Sequence, residues 1–233
     1  MVKQCNLGST SELKDCMVDV DRVIWCATGF SGPRGKTSPW SLLGRVIRFK
    51  LGQLTGRALD VRGPAKAARL LKKNLSSEEE QGVLPKVVLL SSAAVTRPSW
   101  SEDKRARFQE AANIPIVKLN PLGILGTKAK GEEKLRRAGV PYSIVRACGI
   151  NATHPSGDLV VSSGDTAIGR INPSDVATVL ATVLTVPEST GKTFEVYANE
   201  QKAGGAWTTR GSKSQLVDGL SAVKQDKDRT ENE

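Results

Sequence analysis

Lys128 is the residue of this chain whose type and position most directly suggest chemistry. It lies on a predicted helix that is entered at Asn120-Pro121 and closed by Gly139. One turn earlier stands Ile124, which has no proton to donate, and one turn later stands Glu132, which can pair with a lysine at i,i+4 spacing. Lys128 is therefore either a ligand-binding cation or a solvated cation paired with Glu132.

Two adjacent serines end a neighbouring element. Ser91 and Ser92 follow the apolar run Lys86–Leu90, which predicts a strand buried on both faces. Open α/β sheets bind their ligands at the carboxyl ends of strands, so both serines are site candidates. The alternative is that they only cap the turn after the strand.

The cysteines and the single histidine do not form a metal-binding pattern. Cys5, Cys16, Cys26 and Cys148 include no CxxC pair, and His154 is the one histidine that could join them. We therefore predict no metal site. Cys26 and Cys148, which lie in or beside apolar strand patterns, are interpreted as small buried hydrophobic residues in a reducing compartment, and no disulfide framework is expected.

A glycine motif follows the apolar segment Arg22–Ala27. The run from Gly29 to Gly35 matches GxxGxxG, which binds a pyrophosphate when a helix starts at once and an acid follows about 20 residues later. Pro33 opposes an immediate helix, and the next acid is Asp60. The pattern favours an ordinary loop over a phosphate-binding loop.

The net charge of +10 is concentrated in one block. Between Ser31 and Lys73 the chain has eleven lysines and arginines against the single acid Asp60. Such a block attracts anionic lipid, an acidic protein, cofactor phosphates or nucleic acid. With aromatic residues at 4% and no recognisable motif for RNA or DNA, nucleic acid is not a predicted partner.

Within this block, the segment Trp40–Leu54 (WSLLGRVIRFKLGQL) predicts an amphipathic helix. Its apolar residues at helical spacing are Trp40, Leu43, Ile47, Leu51 and Leu54. This face either packs on the protein's own core or docks on an anionic membrane surface or an acidic, apolar partner.

The remaining pattern alternates strands with helices and predicts an α/β fold with a doubly wound parallel sheet. Asn172 caps one helix, with Pro173 at its first position. The predicted domain covers residues 1–203 with a basic insertion at about 31–57, and residues 204–233 are expected to be a polar, disordered tail. The predicted strands are Met1–Leu7, Arg22–Ala27, Lys86–Leu90, Tyr142–Arg146, Leu159–Val161 and Phe194–Tyr197.

Several motifs in order, VIWCATGF, KVVLLSSAAV, the Lys128 helix, GVPYSIVRACGIN and RINPSDVATVL, resemble the atypical short-chain dehydrogenase/reductase family. The resemblance is closest to its NmrA-like, plastid NAD(P)-binding members. It implies a Rossmann-like fold in which VIWCATGF is the fourth strand and Met1–Leu7 the third. The first two strands and their glycine-rich loop have no counterpart, which implies either a shortened version of a longer protein or a rearranged sheet.

The same resemblance implies NADP or NAD as cofactor and Lys128 as the one catalytic candidate, without the tyrosine that the family has at the position of Ile124. The family's Arg-Pro-Gly-Gly-Leu run, which lies along the nicotinamide, corresponds here to a run with Ala147 in place of proline. The implied cofactor-binding residues are Ala27, Thr28, Gly29, Ser91, Ser92, Lys128, Arg146, Ala147, Cys148, Gly149 and Ile150.

Two function classes follow from these observations. One is a catalytically weak or silent dehydrogenase-like protein that acts as a regulator, assembly factor or subunit of a larger complex. The other is an NADP-dependent oxidoreductase of an unspecified small molecule. The resemblance implies a plastid location, in the stroma or at the thylakoid surface, with the cytoplasm as the alternative; no transmembrane segment is predicted.

Overall fold

The computed structural model describes residues 2–29, 44, 46–47, 50–52, 58–75, 82–199 and 209–226. Helix α1, Thr10–Cys16, begins after Ser9, whose side chain caps it by accepting a hydrogen bond from the backbone N–H of Glu12. The predicted strand Met1–Leu7 is wrong over its described residues. The backbone N–H of Asn6 donates to the Glu12 carboxylate at 2.9 Å, so this segment is tied to α1 and not to the sheet.

A mostly parallel sheet of seven strands forms the centre of the described chain. Its order is β1-β2-β3-β7-β6-β4, with β5 antiparallel to β7. The pairs β1–β2, β2–β3 and β3–β7 are parallel, as the continuous apolar runs predict. The strands are β1 (Val23–Trp25), β2 (Val87–Ser92), β3 (Tyr142–Ala147), β4 (Gly149–Ile150), β5 (Asp158–Ser162), β6 (Arg170–Ile171) and β7 (Lys192–Asn199).

β1 stands at one end of the sheet order, beside β2. Among the described residues, no strand pairs with its other edge. The strands β1, β2, β3 and β7 therefore form a continuous parallel part of the sheet, whereas β5 and β6 pair antiparallel with β7.

Helices cover both faces of this sheet. One face packs against α2 (Leu59–Lys72) and α6 (Ile124–Arg136), with Leu71, Ile144 and Leu135 in the shared core. Shorter helices precede α6: α3 (Glu102–Arg107), α4 (Gln109–Ala112) and α5 (Pro115–Leu119).

The other face packs against α7 (Pro173–Val183) and the last helix of the described chain. Asn172 caps α7 through its side chain and Pro173 occupies the first turn, as predicted.

That last helix, α8, spans Thr209–Ser221 and corrects the expectation of a disordered tail. Leu216, Leu220 and Val223 are buried in the same core as α7, and the buried Asp226 accepts hydrogen bonds from β7. The high average polarity of the segment hid three apolar residues at i, i+4 and i+7, which suffice to bury one helix face. Residues 204–208 and 227–233 lie outside the described residues.

The segment Trp40–Leu54 is described at residues 44, 46–47 and 50–52, all of which are helical. Ile47 and Leu51 are 57% and 58% exposed, so the packing alternative is wrong for these two side chains. Trp40, Leu43 and Leu54 lie outside the described residues. In the described part of the chain, no helix combines the length and the apolar character needed to cross a bilayer.

Candidate functional site

A cavity of about 660 Å³ lies where β1, β2 and β3 end. This is the edge at which parallel α/β sheets bind ligands. The cavity brings together eight of the eleven predicted cofactor-binding residues: Thr28, Ser91, Ser92, Lys128, Ala147, Cys148, Gly149 and Ile150.

Three predicted residues do not line this cavity. The Ala27 carbonyl accepts a hydrogen bond from the Trp25 indole at 3.0 Å, and the Gly29 amide donates to Asp60 at 2.8 Å. Residues 30–35 of the glycine motif lie outside the described residues. The third residue, Arg146, has a different role, which is set by an acid on α6.

Lys128 is held at the cavity by Asp60 near the start of α2. Its Nζ lies 3.4 Å from one Asp60 carboxylate oxygen, while the other oxygen accepts the Gly29 amide. The side chain of Lys128 is 20% exposed and that of Asp60 is 3% exposed. Asp60 thus fixes the position of the ammonium group and partly offsets its charge.

The alternative pairing of Lys128 with Glu132 is wrong. Glu132 is fully buried and accepts two hydrogen bonds from the Arg146 guanidinium, at 3.0 and 2.7 Å. It also accepts from Ser91 Oγ at 2.6 Å and from Arg136 at 3.2 Å. Two nitrogens of Arg146 donate to Glu132 beneath the sheet, so this side chain supports the site and does not line the cavity.

The surroundings of Glu132 and Arg146 favour the charged form of each side chain. Burial pushes the pKa of Glu132 upward, but the charge and hydrogen bonds of Arg146, with Arg136 and Ser91, outweigh it and leave the pKa below its usual value. Burial likewise works to lower the pKa of Arg146, and the Glu132 carboxylate reverses this and raises it. Glu132 and Arg146 therefore remain charged together inside the fold.

The serines occupy the last two positions of β2 and not a turn after it. Ser91 Oγ donates to Glu132, whereas Ser92 Oγ donates to the Ala93 carbonyl at 2.9 Å. Both line the cavity. Among the described residues, the hydroxyl of Ser92 makes this one local bond, so it can turn toward a ligand.

Cys148 contributes a thiol that stays protonated. Burial raises its pKa to about 12, and its Sγ lies 3.8 Å from the Ala167 carbonyl. Neither of the two tyrosines lines the cavity: the Tyr142 hydroxyl donates to Asp226 at 3.0 Å, and Tyr197 packs beside Cys148. The described cavity wall therefore contains no tyrosine that could act as a proton donor.

Sequence reasoning missed part of the site. Asp60 was visible as the single acid of the basic block, which is a usable signal for a specific ionic role. The i,i+4 spacing offered Lys128 as a possible partner of Glu132, whereas its partner in the structure is Arg146. Arg170, Ile116 and Ile168 also line the cavity, from β6, α5 and the loop before β6. Arg170 is the first residue of the motif RINPSDVATVL, but no ligand-binding role was assigned to it, and nothing in the sequence surroundings of the two isoleucines marks them.

Comparison with known proteins gives one distant curated relative, and no family model matches the chain. The relative is an uncharacterised chloroplastic protein of Arabidopsis thaliana, 27% identical over 82% of this chain. The chain spans 57% of that protein's length.

Solved structures share the fold at low identity. A Bacillus halodurans protein described as an NAD-dependent epimerase/dehydratase aligns with a TM-score of 0.57 and 19% identity, over 92% of this chain and 75% of its own. The oxidoreductase ylbE of Lactococcus lactis gives a TM-score of 0.55 and 14% identity, over 94% and 78%. A Veillonella parvula short-chain dehydrogenase/reductase in complex with NADP gives 0.50 and 11%, over 88% and 76%. The fold of this chain is therefore the α/β fold of Rossmann-type NAD(P)-binding proteins.

Proposed function

We propose that this chain is a divergent, atypical short-chain dehydrogenase/reductase-like protein that binds the nicotinamide half of NADP or NAD in the strand-end cavity. The observation that carries the proposal is the convergence of Thr28, Ser92, Lys128 and the backbone of Cys148–Ile150 on one cavity. Its position at the carboxyl ends of parallel strands is the one that dinucleotides occupy in this fold.

The residues present fit the ribose and nicotinamide part of the cofactor. Lys128, oriented by Asp60, would donate hydrogen bonds to ribose hydroxyls, and Ser92 and Thr28 offer further polar contacts. The Gly29 amide is engaged by the Asp60 carboxylate, so it does not serve a phosphate there. A bound nicotinamide ring supplies or accepts a hydride.

The chain's own proton chemistry at this cavity is weak. Ile124 stands one turn before Lys128, where it cannot donate a proton, and the Cys148 thiol has a pKa of about 12. This supports a catalytically weak or silent protein that acts as a regulator, an assembly factor or a subunit of a larger complex. An NADP-dependent oxidoreductase of a small molecule, with water or a substrate group as acid, is the alternative.

A plastid location, at the stroma or thylakoid surface, is part of the proposal. It is supported by the chloroplastic relative alone. The exposed Ile47 and Leu51, next to Lys50, support docking of this segment on an anionic membrane surface in preference to an acidic protein, because aliphatic side chains beside cations suit the lipid interface.

Titration of the full chain with NADPH tests the cofactor proposal. We expect saturable binding weaker than micromolar, and we expect Lys128→Met to weaken it about tenfold, the loss of one charge-assisted hydrogen bond. Lys130→Met, an exposed lysine on the same helix, is the control and leaves binding unchanged. Absence of saturable binding, or equal effects of the two variants, refutes the proposal; steady NADPH oxidation with a carbonyl substrate would favour the oxidoreductase alternative.

A further inference from the structure

Part of the strand-end cavity is lined by aliphatic side chains that are open to solvent. Ile116 on α5, Ile150 on β4 and Ile168 before β6 are 37%, 51% and 45% exposed, and all three line the cavity. Large aliphatic side chains that converge on one concave surface gain free energy when a ligand removes them from water. This part of the cavity is suited to an apolar ligand group.

The cationic side chain of Arg170 lines the same cavity. Arg170 is the first residue of β6, and the Gly149 amide donates to the neighbouring Gly169 carbonyl at 3.1 Å, which fixes β6 against β4. A Cβ atom on Gly149 would lie 3.7 Å from Arg170 Cγ, so the arginine stem runs beside β4. The position of Arg170 at the cavity is therefore set by strand pairing.

The charge of Arg170 is not offset by a neighbour. It is exposed, lines the cavity and makes no ion pair with any residue that the structure describes. The other cation at the cavity, Lys128, is paired with Asp60 at 3.4 Å. No aspartate or glutamate is among the described residues of the cavity wall.

We propose that this cavity binds an apolar molecule that carries a carboxylate, with the apolar part against Ile116, Ile150 and Ile168 and the carboxylate on Arg170. The planar guanidinium matches a carboxylate with two parallel hydrogen bonds. The inference rests on the proposed function, because it assigns the substrate or effector class of the same cavity. Arg170 is the specificity-determining residue.

Calorimetry with octanoate and octan-1-ol, which share a chain length and differ in charge, tests the proposal on the full chain. The unaltered protein is expected to bind octanoate more tightly than octan-1-ol. Arg170→Gln is expected to weaken octanoate binding about tenfold and to leave octan-1-ol binding unchanged, and Arg170→Lys to restore part of the loss. Arg62→Gln, an exposed arginine of α2 away from the cavity, is the matched control.

The apolar half of the proposal has its own variant. Ile168→Ser is expected to weaken both ligands about fivefold, because it removes aliphatic contact area that each ligand buries. Val83→Ser changes an exposed aliphatic residue that does not line the cavity and is expected to change neither. Circular dichroism melting verifies that each variant is folded.

NADPH titration of the same variants separates this inference from the cofactor proposal. Arg170-dependent octanoate binding without NADPH binding refutes the cofactor proposal alone. Equal affinity for octanoate and octan-1-ol, or octanoate binding that Arg170→Gln does not weaken, overturns the inference. So does an Arg170→Gln variant that loses NADPH binding and keeps octanoate binding, because Arg170 would then serve the cofactor.

Discussion

The buried cluster beneath the cavity gives the sharpest test of the structural reasoning. Glu132→Gln keeps the size of the side chain and removes the charge that faces Arg146, which is itself 5% exposed. The variant takes away the carboxylate that is hydrogen-bonded to that guanidinium, leaving the carboxylates of Asp165 and Glu195 nearby, and turns an amide N–H toward its donors. Removal of one partner of a buried ion pair costs about 3–5 kcal/mol of unfolding free energy.

The adjacent residue provides a matched control. Glu133 pairs with Arg137 at 2.7 Å and with Arg136 at 3.6 Å, but its own side chain is 46% exposed and those of the two arginines are 77% and 25% exposed. Solvent screens such a pair, so Glu133→Gln is expected to cost about 0.5 kcal/mol or less. Glu132→Gln and Glu133→Gln should therefore differ several-fold in the unfolding free energy that each substitution removes.

Urea unfolding followed by circular dichroism measures both costs, with equal m-values required for the comparison. The pKa of Glu132 is depressed in the fold, so its stabilisation is present above the pKa of an unfolded glutamate and is lost as pH falls through the folded value. The difference between Glu132→Gln and the unaltered protein should therefore shrink toward acid pH. A cost below about 1 kcal/mol at neutral pH, or one equal to that of Glu133→Gln, would refute the buried-pair reasoning.

Three further predictions concern packing, pH and the surface. A Cβ atom at Gly126 on α6 meets nothing within 4 Å, so Gly126→Ala should stabilise the protein by up to about 1 kcal/mol. A Cβ atom at Gly131 on the same helix collides with the α2 backbone, so Gly131→Ala should destabilise the protein by about 1–3 kcal/mol. Thermal melting measures both changes, and equal effects would contradict the α2–α6 packing. Burial raises the pKa of Glu195, so stability is lost as pH rises from the pKa of an unfolded glutamate through the folded value. Glu195→Gln should remove part of this loss in urea titrations across that rise, and an unchanged pH profile would count against it. Replacing Ile47 and Leu51 with serine should reduce co-sedimentation with anionic vesicles, and unchanged binding would end the docking proposal.

Much of the fold was predictable because local patterns and tertiary packing agree. The continuous apolar runs became the parallel strands β1, β2 and β3, and the cap at Asn172 started α7. The prediction failed where the local pattern and the tertiary packing disagreed. Met1–Leu7 has the apolar content of a strand, but within its described residues the Asn6 amide bonds to Glu12 of α1. The polar C-terminal segment forms α8 because a few leucines suffice once a sheet face is available.

The sequence by itself determined which residues reach the strand ends, because a strand's carboxyl end is set by where its apolar run stops. Ser91 and Ser92 could be placed at the cavity on that ground, whereas Lys128 and Gly149 were expected there from the family resemblance. Only the tertiary structure decided the ionic partners. The partners lie on α2, α6 and β3, which are far apart in sequence. The pairing of Lys128 with Asp60, and that of Glu132 with Arg146, depends on the packing of these elements, which no local pattern encodes.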